Sequence, residues 1–96
     1  MLERAVESHL CRRVKRAGGE VIKLPVREHA GRPDRLVLMP QGRVYFIELK
    51  RPGKKLEKHQ VRERNRLLRM GFNAFAIDTK PGVDYFMAWV TNGRGR

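Results

Sequence analysis

An α/β fold, with helices flanking a mixed sheet in the order α-β-β-β-α-β, is what the hydrophobic patterning of this chain predicts. Apolar residues recur at helical spacing in two stretches, residues 2–17 and 56–70. Three short runs rich in branched and aromatic residues lie between them, and an alternating run follows the second stretch. A helix bridging two strands requires a crossover, which favours parallel pairing at one side of the sheet.

Each element has its own justification. Leu2, Val6, Leu10, Val14 and Ala17 fall on one helical face, and the "AGG" that follows offers a glycine for a left-handed C-cap. "EVIKLPV" (20–26) reads as a first strand, with Pro25 confined to a sheet edge or the strand's end. After the loop "REHAGRP", the runs "DRLVLMP" and "RVYFIELK" flank Gln41-Gly42, a turn pair, and should form an antiparallel hairpin. "RPGKK" breaks the chain before the second helix, whose apolar side carries Val61, Leu67 and Leu68 and whose stop is Gly71. In "FNAFAID", Phe72, Ala74 and Ala76 alternate with Asn73, Phe75 and Ile77, the pattern of a fourth strand. "VDYFMAWV" fits a short closing helix or an edge strand, and residues 91–96 read as a flexible basic tail.

At 96 residues the chain is expected to be one domain. Its single cysteine, Cys11, cannot form an internal disulfide, and no closely spaced Cys/His pairs suggest structural zinc. No apolar run reaches membrane-spanning length and the N-terminus lacks a secretory pattern, so a cytoplasmic protein without a membrane partner is expected. The formal net charge is +12, spread over "CRRVKR", "KRPGKK" and "RERNRLLR" rather than one tail. That distribution points to a surface facing a polyanion, nucleic acid before anionic membrane; plain solvated charge is the alternative. The scatter of the basic residues suggests contacts to the phosphate backbone, with no base-reading helix motif.

Three charged residues stand where the strands are otherwise apolar. Glu48 and Lys50, two apart, share one strand face, and Asp34 begins the preceding strand. In a hairpin turned at Gln41-Gly42 the start of one strand lies beside the end of the other, bringing Asp34 next to Glu48 and Lys50. Two carboxylates supply hard oxygen ligands for Mg²⁺ or Mn²⁺, and a lysine beside them can orient a water or stabilise charge on a phosphate oxygen. Pro33 fixes the backbone before Asp34, and Gly31 permits close approach of chain or phosphate. On spacing alone, a plain Glu48–Lys50 ion pair on an edge strand, with Asp34 in a turn, accounts for the pattern equally well.

"GRPDRLVL", "VYFIELKRPG" and "LEKHQ" together resemble the G-x-P-D, I-E-x-K and downstream Gln motifs of the virus-type replication-repair nuclease (VRR-NUC) domain, a branch of the PD-(D/E)xK nucleases. The likeness extends to a first helix with Glu3 and Glu7, the Gly-Gly stop and "LLRMGFNAFAID", covering residues 1–90. It implies a restriction-endonuclease-like core in a stand-alone nuclease domain of phage or bacterial type. It also implies Asp34 and Glu48 as metal ligands, Lys50 as catalytic lysine, Gln60 as a site residue, and Glu3, or else Glu7, as a further acid and ligand.

The function so implied is a divalent-metal-dependent DNA endonuclease acting on structured DNA, a four-way (Holliday) junction resolvase working as a homodimer in repair or recombination. Flap, nick or restriction-type cleavage is the alternative, as is a non-catalytic DNA-binding module on the same fold. An RNA-binding or ribosome-associated protein is disfavoured by the acid–acid–lysine set. Arg32, Arg35, Arg51, Lys54, Lys55 and Lys58, around the motifs, are the expected DNA contacts. His9, His29 and His59 match no ligand spacing and are expected in solvent or against DNA. Tyr85, Phe86, Met87 and Trp89 suggest either an interface or a cap on the core.

Overall fold

The computed structural model describes residues 3–25 and 31–92. Helix α1 (Glu3–Arg16) leads into β1 (Glu20–Lys23), β2 (Arg35–Met39) and β3 (Arg43–Leu49). Helix α2 (Lys58–Arg69) then connects to β4 (Asn73–Ile77), and α3 (Lys80–Thr91) follows. The expected order therefore gains a closing helix. Thr79 caps it by accepting the Gly82 N–H at 3.0 Å, with a proline in the first turn where no N–H is needed.

Local chemistry sets the boundaries. Gly18 and Gly71 adopt φ of +88° and +94° after α1 and α2. In each case the glycine N–H and the next residue's N–H turn back to the helix, Gly19 to the Val14 carbonyl at 2.9 Å and Phe72 to the Leu67 carbonyl at 3.0 Å. Both helices thus end in the glycine motif that satisfies their last carbonyls. At the hairpin, Pro40–Gly42 form one turn of 3-10 helix, and Gln41 joins Gly42 at positive φ.

The sheet runs β1-β2-β3-β4. β1–β2 and β2–β3 are antiparallel, whereas β3–β4 is parallel, as the α2 crossover demands. On one face Val37, Met39, Tyr45, Ile47, Leu49 and Ile77 meet Val6, Leu10 and Val14 of α1 and Val83, Phe86, Met87 and Val90 of α3. This is the core. Tyr45 stands edge-on to Phe86 and Trp89, with ring centroids 5.5 and 6.1 Å apart. Phe86 and Met87 are therefore core residues, and of the aromatic C-terminal segment only Tyr85 points fully to solvent.

Helix α2 stands apart from that cluster, and Arg64 Nε donates to the Ala74 carbonyl of β4 at 3.1 Å. Leu67 is its buried residue; Val61 and Leu68, expected inward, are 40% and 39% exposed. α3 runs through Thr91 with Asn92 as C-cap, so the first two residues of the expected tail belong to the helix and its cap, and residues 93–96 lie outside the described residues. Among the described residues no helix is long and apolar enough to cross a membrane.

Candidate active site

Pairing of Arg35 with Ile47 and of Leu36 with Phe46 sets Asp34, one step earlier, opposite Glu48. The backbone around Asp34 is tied on both sides. Its carbonyl accepts the Leu24 N–H at 2.9 Å, and its Oδ1 accepts the Leu49 N–H at 3.1 Å. Pro33 is buried beside it.

Glu48 and Lys50 project to the same face, as strand alternation requires. Beyond β3, the Lys50 N–H continues the ladder to the Ile77 carbonyl at 3.0 Å, which keeps its side chain in register with Glu48. Lys50 Nζ lies 3.8 Å from Glu48 Oε2, and Gln60 Nε2 donates to that same oxygen at 3.3 Å. The side chains of Glu48 and Lys50 are each only 12% exposed, and that of Asp34 is 19% exposed. Charges so confined interact more strongly than the same groups in water.

Gln60 has a second task. Its Oε1 accepts the Glu57 N–H at 2.9 Å, while the Glu57 side chain accepts from the helix backbone at Gln60, a reciprocal cap on α2. Gly31 holds the neighbouring loop against that first turn. It adopts φ of +92°, and a Cβ there would stand 2.7 Å from the His59 carbonyl oxygen. The close approach that glycine permits is thus chain against chain.

A buried arginine completes the arrangement. Arg35, expected among the DNA contacts, is 5% exposed on the core side of β2. Its Nε donates to Glu7 Oε2 at 2.7 Å, its Nη2 pairs with the same oxygen, and its Nη1 lies 3.0 Å from Asp34 Oδ2. A guanidinium committed to two carboxylates is a structural brace, not a phosphate contact, because burying it without partners would be costly. Among the described side chains, Glu7 is accordingly the first-helix acid linked to the site. Glu3 opens α1, and its side chain lies outside the described residues.

The structure therefore brings Asp34, Glu48, Lys50 and Gln60 together at the carboxyl end of β3. Among the described residues no group of three or more His, Cys, Asp or Glu side chains is placed to hold an ion. The donor set that suits a divalent cation is the carboxylate pair Asp34 and Glu48, both anchored by hydrogen bonds. Arg51, Lys54, Lys55 and Lys58 are exposed nearby in sequence, Arg32 is half-buried, and Lys54 and Lys55 line one hollow with Lys50. His9 bonds Asp84 at 2.7 Å, His59 packs on Gly31, and His29 falls outside the described residues.

Two supporting roles were not read from the sequence: that of Arg35, expected as a DNA contact, and that of Asp78. Arg35 shares β2 alternation with Val37 and Met39, so its inward placement, and its need for carboxylates, could have been read from the pattern. Asp78 accepts the Gly53 N–H at 3.0 Å and pins the "RPGKK" turn; nothing local in the sequence signals that contact.

No family model matches the chain. A phage protein named "Putative nuclease p44", from Acyrthosiphon pisum secondary endosymbiont phage 1, is 37% identical over 78 residues, 81% of this chain and 84% of its own. A solved structure titled "VRR_NUC domain" superposes with a TM-score of 0.83 at 33% identity, covering 90% of this chain and 94% of that one. The chain belongs to the VRR-NUC family. Its four-stranded mixed sheet with flanking helices is the VRR-NUC fold, and Asp34, Glu48, Lys50 and Gln60 carry the motifs by which the sequence resembles that family.

Proposed function

We propose that this VRR-NUC domain is a divalent-metal-dependent endonuclease that hydrolyses phosphodiester bonds in branched DNA, working as a homodimer on four-way junctions. The observation that carries the reading is the joint grip of Lys50 and Gln60 on Glu48, with Asp34 opposite it across the hairpin. DNA as substrate follows from the net charge of +12 and from the nuclease named among the relatives.

Asp34 and Glu48 would hold Mg²⁺ or Mn²⁺. Such an ion, when bound, supplies Lewis acidity toward a phosphate oxygen and lowers the pKa of a water. Arg35 and the Leu49 N–H fix the Asp34 carboxylate, and Gln60 fixes that of Glu48, so neither has to reorient as charge develops. Lys50 donates a hydrogen bond to the phosphate or the attacking water. Its side chain is 12% exposed, and its ammonium lies 3.8 Å from Glu48 Oε2.

The dimer is argued from economy and surface. One chain offers one site, and a two-fold pair offers two on symmetry-related strands. Val61, Leu68, Met70 and Phe72 leave 39–55% of their surface open along and just after α2, more apolar area than the exposed Tyr85 supplies. The test is a panel of labelled duplex, flap and four-way-junction DNAs with Mg²⁺, Mn²⁺ or EDTA, together with light scattering. Paired symmetric cuts in junctions by a dimer support the proposal. A monomer that prefers flaps would sink the resolvase reading, and no cleavage of any DNA with either metal would sink the nuclease reading.

A further inference from the structure

Two hollows lie along the outer edge of β4 and share Ala76, Ile77 and Asp78 as a common wall. The first, about 450 Å³, is basic, with Lys50, Lys54 and Lys55 around it. The second, about 370 Å³, is aromatic, with Phe75, Tyr85, Phe86 and Trp89. That volume lies within the roughly 300–1,000 Å³ of small-ligand sites.

The aromatic hollow is rigid on one side and open on the other. Trp89 is half-buried and held edge-on by Phe75 and Tyr45, at centroid distances of 5.2 and 6.1 Å. Tyr85, one helical turn earlier, is 78% exposed, a large ring presented to solvent by an otherwise well-packed helix. Asp78, the acid between the two hollows, keeps its negative charge, which Lys50, Lys54 and Lys55 around the basic hollow outnumber. Its Oδ2 accepts the Gly53 N–H at 3.0 Å and so anchors the turn that carries Lys54 and Lys55.

Lysines beside open aromatic rings form the pairing by which proteins take up single-stranded nucleic acid, with charge tracking the backbone and rings taking the bases. We infer that the Tyr85–Trp89 hollow binds the base of an unpaired nucleotide, whose phosphates run over Lys54 and Lys55 toward Lys50. This rests on the DNA nuclease reading and deepens it: at the branch point of a four-way junction, a base that has left its pair next to the cut enters the hollow. A fully paired duplex would leave the hollow empty.

The experiment titrates the intact protein, in EDTA so that no strand is cut, with a fluorescein-labelled single strand and with a blunt duplex of equal length. Trp89, the one tryptophan of the chain, reports stacking by its own fluorescence. The single strand should quench Trp89, and the same strand with abasic sites should not. Tyr85→Ala, at an exposed position, should weaken single-strand binding by about 5- to 150-fold, the range for loss of one stacked base, while duplex affinity holds within about twofold. Anisotropy that reports single-strand binding without any change in Trp89 would overturn the inference, as would a single strand that does not bind. Equal weakening of both DNAs by Tyr85→Ala would overturn it as well. A dimer that Tyr85→Ala dissociates, with single-strand affinity intact, would assign the hollow to a second copy of the chain and also overturn it. Cleavage assays judge the nuclease reading separately, so either can fail alone.

Discussion

Gln60 joins the Glu48 carboxylate to the start of α2: its amide nitrogen donates to Glu48 at 3.3 Å while its amide oxygen accepts the Glu57 N–H at 2.9 Å. One side chain thus spans a helix cap and a site carboxylate. Gln60→Ala should lose both. The missing cap costs about 1 kcal/mol, which in a domain of this size lowers Tm by roughly 4–8 °C. Cleavage should fall about tenfold or more as Glu48 loses its anchor. Thermal melts and single-turnover rates on one junction check the pair of effects; a melt shift with an unchanged rate would confine Gln60 to the cap.

Lys50→Ala and Glu48→Gln should each reduce the cleavage rate by on the order of a hundredfold or more. Glu48→Gln keeps the side chain's shape, so its melting and its DNA affinity in EDTA should change little, whereas Lys50→Ala also removes a phosphate contact and the cation beside Glu48 and should lower both modestly. Wild-type rates from purified Lys50→Ala protein would show the catalytic assignment to be wrong.

Much of this site was legible because its signals are local. The alternation that puts Glu48 and Lys50 on one face, and the Gln41-Gly42 turn that returns Asp34 to their side, need only strand geometry. The first helix, the hairpin and the parallel crossover follow from the same kind of periodicity. What depends on distant partners was not legible. Residues 83–90 are apolar on nearly every side, so helix and strand fit equally until the core supplies a surface for Val83, Phe86, Met87 and Val90. Arg35 looked like one more cation in a basic chain, and only the packing of α1 reveals Glu7 as its partner.

Arg35→Met should destabilise the fold by about 3–5 kcal/mol, since it leaves two partly buried carboxylates facing each other without a cation. Arg35→Lys should recover only part of that loss, because one ammonium cannot reproduce the fork that grips Glu7 and Asp34 together. Urea unfolding of the three proteins gives the order. If Arg35→Met were as stable as wild type and instead weakened DNA binding, the guanidinium would be a phosphate contact after all.

α1 and α3 are joined at the surface by Asp84, which bonds His9 and Arg13. The hydrogen bond from His9, together with the charge of His9 and the bond and charge of Arg13, holds the Asp84 carboxyl below the usual aspartate range against the opposing effect of desolvation. A carboxylate with a lowered folded pKa contributes stability that is fully present above the ordinary value of about 3.9 and is lost as pH falls through the lower, folded value. The difference in Tm between wild type and Asp84→Asn should therefore be largest near neutrality and disappear in acid. Being exposed, it should also shrink in high salt. A difference that grew toward acid would reverse the sign of the argument and remove Asp84 as a stabilising anion.

Gly31 offers the sharpest separation between folding the chain and assembling the site. Its φ of +92° is strained for any side chain, and a Cβ would press to 2.7 Å of the His59 carbonyl oxygen and 2.9 Å of its ring. The carbonyl is backbone and cannot rotate aside, so Gly31→Ala must displace either the loop or the first turn of α2. Displacing the loop moves Pro33 and Asp34; displacing the turn moves Gln60 away from Glu48. Both routes disturb carboxylates that require placement within about half an ångström for preorganised catalysis. The core between the sheet, α1 and α3 does not include this contact, so most of the stability should survive. The expected result is a protein that still unfolds cooperatively, melts a few degrees lower, and cuts DNA at least tenfold more slowly. Gly31→Ala with full activity would mean that the loop and α2 can part without consequence, and that the Gln60–Glu48 bond does not position the site.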